Sequence, residues 1–358
     1  MDGINIVTTF SVAYEEDFPE KYNYTYDDDT TICVEIYLQT FHAVLYTLIF
    51  LLGVVGNGLM ITVLLRRRRR LRITEIYLLH LALTDLMLLF TFPFDVADSA
   101  IGWVFGEFLC KLKGLVHDLN LHCGSLLLAC IGFDRYLAVV HAIPSMQIRR
   151  PRTVHLTCIA LWLVCLGLSI PNAVFLSVHE DTNFWRSCGY YLYGIDANNW
   201  GLAQRVSYHV CFFLPLAVMC YCYTAVVVTL CSSQKKQAKQ GAIRLASLVT
   251  LVFFFGWLPY NITLLIKTMF DLKVIDMENC DNYVLLQQVL DVTKGLGLSH
   301  CCLNPFLYAF AGVRFRNELL QLLYKLGCSH ICLPFNRAQG HGRPSISDAA
   351  TSTSTIHI

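Results

Sequence analysis

Ionisable side chains interrupt several apolar stretches of this 358-residue chain. Asp85 ends the run Leu-Ala-Leu-Thr-Asp, Asp134 and Arg135 follow a largely apolar segment, and Lys294 precedes Gly-Leu-Gly-Leu. Among apolar neighbours, such groups form ion pairs, hold a cation or exchange hydrogen-bond partners. No Ser/His/Asp or metal-ligating pattern indicates catalysis, so an enzyme is disfavoured.

The composition is too apolar for a soluble domain. Hydrophobic residues make up 55% and charged residues 15% of the chain, and its mean hydropathy is +0.51. Soluble domains carry about 25% charged residues. These values exclude an ordinary soluble enzyme, a disordered protein and a nucleic-acid binder. The 16 cysteines include no Cys-x-x-Cys pair of the kind that binds zinc.

Seven stretches are long and apolar enough to cross a bilayer, since about 20 such helical residues span the hydrocarbon core. Their approximate bounds are 39–65, 73–97, 107–140, 153–177, 204–230, 242–270 and 283–311. Because the backbone in lipid must satisfy its own hydrogen bonds, these spans are predicted to be helices. The fold prediction is an all-α membrane protein, a seven-transmembrane helix bundle with a short amphipathic eighth helix. The predicted segments are an acidic tail (1–36), the bundle (37–312), the amphipathic helix (313–328) and a Ser/Thr-rich tail (329–358).

Basic residues indicate which way the bundle faces. Of the 27 Lys and Arg residues, 19 fall on the side that also holds the C-terminus, together with only four acids. Loops rich in Lys and Arg stay in the cytoplasm. The N-terminus is therefore predicted to lie outside the cell, and residues 1–36 show no signal peptide.

Polar motifs recur along the spans in a fixed order. They are Gly56-Asn57, Leu-Ala-Leu-Thr-Asp (81–85), Asp-Arg-Tyr (134–136), Trp162, Pro215 with Tyr223, Trp-Leu-Pro-Tyr (257–260) and Asn-Pro-Phe-Leu-Tyr (304–308). In this order and in seven spans, they resemble the rhodopsin-like G-protein-coupled receptors over about residues 33–328. The resemblance implies a set of G-protein switch residues: Asp134, Arg135, Tyr136, Tyr223, Trp257, Pro259, Asn304, Pro305 and Tyr308. Of these, Trp257 would lie below the ligand pocket, and Tyr223 and Tyr308 near the cytoplasmic face.

The resemblance also implies a polar core inside the membrane. Asp85 would join Asn57 and Asn304 in a site that often binds sodium in this family. Gly124 stands where a sodium-ligating serine is frequent. A sodium ion and a purely structural polar network therefore both stay open, and no other cofactor is expected.

Four cysteines are predicted to lie outside the cell, where disulfides form. Cys33, Cys110, Cys188 and Cys280 allow three pairings. The resemblance implies Cys110 with Cys188, which is general to the receptor family. It also implies Cys33 with Cys280, a pairing shared mainly with chemokine receptors.

The predicted outer face is acidic and rich in tyrosine. A solvated disordered tail is one interpretation, and electrostatic capture of a basic partner is the other. Candidate ligand-binding residues in the tail are Tyr22, Tyr24, Tyr26, Asp27, Asp28 and Asp29, with the tyrosines also candidates for sulfation. Asn23 begins a glycosylation sequon. Asp95, Asp98 and Asp291 at the helix mouths are predicted to extend the tail into an anionic funnel, with Lys294 close to Asp291.

Short runs resemble the chemokine receptors more closely than the wider family. They are Thr-Phe-Pro (91–93), Trp-Val-Phe-Gly (103–106), 134–142 and His-Cys-Cys-Leu-Asn-Pro (300–305). The runs 124–133, 293–298 and 308–316 are most like the CXC type 3 subfamily, with type 5 next. The resemblance implies basic, interferon-inducible CXC chemokines as ligands and Gi-coupled leukocyte chemotaxis from the plasma membrane. It also implies an arrestin and a receptor kinase at the tail, membrane lipid as the surroundings and no nucleic-acid partner.

Several alternatives have different functions. A chemokine-scavenging receptor without G-protein coupling is the nearest, although Asp134-Arg135-Tyr136 is intact. A peptide-hormone receptor, a transporter or channel and a retinal pigment are less consistent with the motifs. In particular, Lys294 lies about three helical turns before Pro305, whereas the pigment lysine lies about two turns before that proline.

Overall fold

The computed structural model describes residues 28–66, 71–141, 150–180, 186–190, 195–232, 240–275, 280–311 and 313–325. Within its helices and strands, the side chains of 28–36, 190, 195–200, 232, 240–242, 280–281, 310–311 and 313–314 are not described. The helices are α1 (Asp28–Arg66), α2 (Ile73–Leu89), α3 (Phe92–Ile101), α4 (Gly106–Val139), α5 (Pro151–Phe175), α6 (Ile195–Ser232), α7 (Gln240–Asp271), α8 (Cys280–Leu298), α9 (His300–Ala311) and α10 (Val313–Lys325). The strands are β1 (Leu176–Glu180) and β2 (Arg186–Tyr190).

Among the described residues, six helical stretches are long and apolar enough to cross a membrane. They are Tyr37–Arg66, Ile73–Ile101, Gly106–Val139, Pro151–Phe175, Gly201–Cys231 and Ile243–Asp271. These stretches coincide closely with the first six predicted spans. The predicted all-α membrane fold is confirmed.

The seventh predicted span is two consecutive helices, α8 and α9, interrupted at Ser299. α8 carries Asp281, Asp291 and Lys294, and α9 has only 12 residues. Neither helix alone has the length and apolarity of a span. Both pack against α1 and α7, and α9 also packs against α2, so the pair completes the bundle.

The polarity of the bundle is the reverse of that of a soluble protein. Large apolar side chains on the outside are more than half exposed, among them Leu51, Val55, Leu163, Val228 and Phe255. Polar side chains inside are at most 2% exposed, among them Asn57, Asp85, Asn120, His122 and Asn304. A lipid environment explains both, because it accepts apolar side chains and requires polar groups to find partners within the protein.

α4 lies at the centre of the bundle, because it packs against α2, α5, α6 and α7. Its apolar face buries Leu127, Leu128 and Ile131 completely. Gly124 brings the helix close to α7, since a Cβ atom there would lie 2.9 Å from a ring carbon of Phe253. A serine at this position would have to displace that ring.

A proline on α9 explains how α1 docks. Pro305 has no N–H, so the carbonyl of Cys301 loses its usual partner within the helix. The Asn57 amide nitrogen takes that place, at 2.8 Å from the Cys301 oxygen. Gly56 allows the approach, because a Cβ atom there would lie 2.9 Å from Pro305 Cβ. Two of the sequence motifs, Gly56-Asn57 and Asn304-Pro305, therefore form one contact.

The strands form a hairpin that the sequence analysis did not predict. β1 and β2 are antiparallel, with Val178 opposite Cys188. The Trp103 amide nitrogen donates to the Arg186 carbonyl at 2.7 Å. Five-residue strands have too weak an apolar pattern to be recognised without these contacts.

The ends of the bundle differ from the predicted segment bounds. α1 begins at Asp28, inside the predicted acidic tail, where acids near a helix N-terminus are favourable. α10 covers most of the predicted amphipathic segment and contacts α1 and α9. Its Leu322 side chain is buried.

The Gly56 contact leads to a stability prediction. Gly56→Ala should destabilise the fold by about 1–3 kcal/mol, because the added methyl group overpacks against Pro305 and separates Asn57 from its acceptor. The measurement is the apparent melting temperature of the purified protein. Gly58→Ala is the matched control on the same helix, since a Cβ atom there meets nothing within 4 Å. Equal melting temperatures for the two variants would contradict the contact.

Candidate functional site

A disulfide ties the hairpin to the start of α4. Cys110 and Cys188 are bonded, with their Cα atoms 5.6 Å apart. Partial burial lowers the pKa of His179 on β1, and its Nε2 lies 2.8 Å from Ser177 Oγ. The Cys33 and Cys280 side chains lie outside the described part, so their pairing stays a prediction.

The hairpin borders a cavity of about 580 Å³ at one end of the bundle. Side chains from α4, α5, α6, α7 and α8 line it, and Cys188 and Gly189 of β2 contribute to its wall. Trp257 lines it together with Tyr260, one helical turn along α7. Its volume suits the end of a peptide or a small molecule.

Both signs of charge occur around this cavity, which corrects the predicted anionic funnel. Lys113 Nζ lies 2.8 Å from Asp95 Oδ1 and 3.4 Å from Asp98 Oδ2. His117 Nε2 lies 3.4 Å from Asp95 Oδ2. The acids of α3 therefore face basic groups of α4. Of the three predicted acids, only Asp291 lines the cavity.

Asp291 and Lys294 both reach the cavity from α8. Within the described part of the chain, no ion pair joins them, although they are three residues apart. The Asp291 side chain is exposed, and Lys294 is half-buried. Lys294 therefore adds a positive charge to the cavity wall.

A polar core lies below the cavity, around Asp85. Its Oδ2 accepts from the Asn304 amide nitrogen at 2.8 Å, and its Oδ1 accepts from Asn120 at 3.1 Å. The Cys301 thiol lies 3.5 Å from Oδ1. Asn57 joins the polar core by donating to the Cys301 carbonyl, and not by a hydrogen bond to Asp85. The network therefore links α1, α2, α4 and α9.

The side chains of this core do not fit a sodium site as they are arranged. Asn120 and Asn304 present their nitrogens to the Asp85 carboxylate, so their oxygens point elsewhere. Gly124 supplies no hydroxyl, and Ser125 Oγ donates to the His122 carbonyl. Small cations require converging oxygen ligands. No functional step is therefore assigned to a sodium ion.

His300 connects the cavity to the polar core. The Trp257 and His300 rings are 5.9 Å apart between centroids, and His300 Nε2 lies 3.6 Å from Asp85 Oδ1. Phe253 contacts both rings, at 6.4 and 5.0 Å. A group that moves Trp257 would therefore press directly on a side chain that touches Asp85.

Trp257 of the predicted switch set lines the cavity and Asn304 belongs to the polar core, whereas other switch residues lie farther along the bundle. Arg135 is paired with Asp134 on α4, about 30 Å from Lys113 at 1.5 Å per residue. Tyr136 OH lies 3.0 Å from His141 Nε2, and Tyr223 OH lies 3.1 Å from Thr250 Oγ1 on α7.

Three further switch residues interrupt or pack along the last two spans. Pro259 and Pro305 lie inside α7 and α9. Tyr308 is 2% exposed, and its ring is 6.2 Å from Phe315 of α10.

The predicted capture residues of the tail lie outside the described part. They are Tyr22, Tyr24, Tyr26 and Asp27, and the glycosylation candidate Asn23 lies there too. Asp28 and Asp29 belong to α1 by their backbone, but their side chains are not described. Their roles in ligand capture, and that of Asn23 in glycosylation, stay predictions.

Sequence reasoning missed several residues of the site. Lys113, His117 and Asn120 are spaced four and three residues apart, so they share one face of α4. This spacing could have indicated from the sequence that α4 has a polar face toward the bundle interior. His300 was noted only as part of a motif. Asp118, which also lines the cavity, lies within the predicted span 107–140 and was given no role from the sequence.

Known proteins are similar to this chain in sequence. A family profile described as 7 transmembrane receptor (rhodopsin family) matches residues 56–308. Human CXC chemokine receptor type 5 is 40% identical, over 99% of this chain and 97% of the relative. Human CXC chemokine receptor type 3 is 39% identical, over 88% of this chain and 87% of the relative. The chain belongs to the rhodopsin family of receptors, as a CXC chemokine receptor.

The receptor is therefore a multi-pass protein of the plasma membrane, and its family is one of receptors and not of enzymes. The bovine type 3 receptor is 42% identical, over 81% of this chain and 78% of the relative. The identities do not separate type 3 from type 5.

The Lys113 ion pairs lead to a second prediction. Lys113→Met should cost about 3–5 kcal/mol, because it leaves Asp95 without its closest cation where the two side chains are only 16% and 13% exposed. Apparent melting temperature and the fraction of receptor at the cell surface measure the effect. Lys111→Met is the control, since its pair with Glu107 is exposed and should contribute little to stability. A stable Lys113→Met receptor would refute the role of this pair.

Proposed function

We propose that this receptor binds basic CXC chemokines, signals through a Gi-type heterotrimeric G protein and directs leukocyte chemotaxis. The observation that carries the proposal is the open cavity beside Trp257, at the end of the bundle opposite Arg135. A cavity at one end and a charged switch at the other are what a transmembrane signal requires. Interferon-inducible chemokines are proposed because of the type 3 motifs in the sequence.

Ligand capture begins at the acidic N-terminal tail in this proposal. Its acids and tyrosines, with sulfation adding charge, attract the basic chemokine core by electrostatic steering. The flexible end of the chemokine then enters the cavity. Asp95 and Asp98 contribute less than the sequence suggested, since Lys113 and His117 already engage them.

Activation follows from the contacts of Trp257. A ligand that displaces this ring disturbs His300 and the Asp85 network, and so favours the state in which α7 bends outward at Pro259. This is a population shift, limited by the difference in ligand affinity between the two states. Arg135 then leaves Asp134 and contacts the G protein.

The cytoplasmic tail ends the signal in this proposal. Phosphorylation of its Ser and Thr residues by a receptor kinase adds about −1.5 to −2 charges at each site and recruits an arrestin. α10 lies along the membrane lipid, with Leu322 packed against the bundle.

Two alternatives remain to be separated by experiment. A scavenging receptor would bind chemokine without activating a G protein. The intact Asp134–Arg135 pair favours the signalling receptor. A type 5-like receptor would respond to a different CXC chemokine, and the match to type 5 over 99% of the chain supports testing it.

The decisive experiment measures Gi activation and binding together in cells that express the full chain, against a panel of CXC chemokines. We expect activation by the interferon-inducible members at nanomolar concentrations. Binding without activation would support the scavenging receptor. A response only to the type 5 ligand would change the proposed ligand, and no binding to any member would overturn the proposal.

A further inference from the structure

The cavity has an uneven distribution of charge. Its described basic lining residues are Lys113, Arg205, Lys267 and Lys294, and its described acids are Asp118 and Asp291. Lys113 is engaged by Asp95 and Asp98, and Arg205 is paired with Asp271. Asp291 is exposed at the α8 side, whereas Asp118 on α4 is 3% exposed. Asp118 is therefore the deeply buried acid among the described lining residues.

Neutral groups surround the Asp118 carboxylate. The Tyr208 hydroxyl donates to its Oδ1, and the Gln204 amide nitrogen lies 3.4 Å from its Oδ2. Asn172 supports this arrangement, with its amide nitrogen 3.5 Å from the Tyr208 oxygen. Among the residues that the structure describes, no Lys, Arg or His forms an ion pair with Asp118.

A buried carboxylate without a cation is costly, and an arriving cation relieves that cost. The other side of the cavity is net positive, because Lys267 on α7 and Lys294 on α8 outnumber Asp291, and this directs a cation toward the Asp118 wall. Asp118 also shares the cavity with Trp257, where the proposed signal begins.

We infer that Asp118 is the deep anchor for a cationic group at the flexible end of the chemokine, with Tyr208 and Gln204 as its positioning residues. The inference rests on the proposed function. The cation is an ammonium or guanidinium group, supplied by the chain terminus or by a basic side chain near it.

The test is a cycle of receptor and ligand changes. The probe is the CXC chemokine that is most potent on the unmodified receptor, used unmodified, acetylated at its N-terminus, or with its first basic residue changed to glutamine. Asp118→Asn should lower potency at least about tenfold, the effect of roughly 1.4 kcal/mol. One of the two ligand changes should lower potency similarly on the unmodified receptor and have no further effect on Asp118→Asn. The ligand change that has this effect shows whether the chain terminus or the basic side chain supplies the cation.

Three further receptors separate charge from packing. Tyr208→Phe keeps the carboxylate and should keep the sensitivity to the ligand change. Glu180→Gln removes an exposed outer acid, in the pair with Arg186, and should leave potency within about threefold. Asp118→Ser, which still accepts hydrogen bonds, replaces Asp118→Asn if the latter does not reach the cell surface.

The outcomes distinguish this inference from the proposed function. Unchanged potency of Asp118→Asn, or an undiminished ligand effect on it, would overturn the anchor alone. Tyr208→Phe would also overturn the anchor if it reproduced the two effects expected of Asp118→Asn, the loss of potency and the loss of sensitivity to the ligand change. Side-chain packing, and not the Asp118 charge, would then explain both effects. No response of the unmodified receptor to any chemokine would overturn both.

Discussion

The lipid interior provides no partner for a polar group, and the rest of the structure depends on this constraint. Asp85 satisfies it with Asn120 from α4 and Asn304 from α9. Asn57 satisfies the carbonyl that Pro305 leaves free, which fixes α1 against α9. The same groups that must be paired therefore determine which helices meet. The apolar side chains then face outward, where lipid accepts them.

The same constraint determines the charge of the cavity. Acids that enter the membrane on α3 must meet bases, and Lys113 and His117 on α4 supply them. What remains in the cavity wall is Lys267 on α7, Lys294 and the exposed Asp291 on α8, and one buried carboxylate, Asp118. In the proposed function, the cavity therefore recognises a ligand end by where its charge lies as well as by its net charge. In the same proposal, capture of a basic chemokine falls mainly to the acidic tail.

The sequence was sufficient for the first six spans, because apolar length is a local signal, but it did not predict the interruption of the seventh span at Ser299. It was not sufficient for partners that are distant along the chain. Lys113 is 15 residues from Asp98 and His300 is 215 residues from Asp85, so only the packed bundle shows that they meet. The anionic funnel was predicted from acids alone, without the bases that α4 brings to them. The hairpin was missed because its pairing depends on contacts with Trp103 and the disulfide.

The central claim is that a ligand beside Trp257 moves α7 at the far end of the bundle, through His300 and the Asp85 network. The most direct measurement is the distance between spin labels at Arg150 and Arg244, two exposed positions at the Arg135 end of α5 and α7. Labels on unnatural amino acids leave the native cysteines in place. The account predicts that an activating chemokine populates a longer distance, by several ångströms. An unchanged distribution under saturating chemokine, with G-protein activation intact, would contradict it.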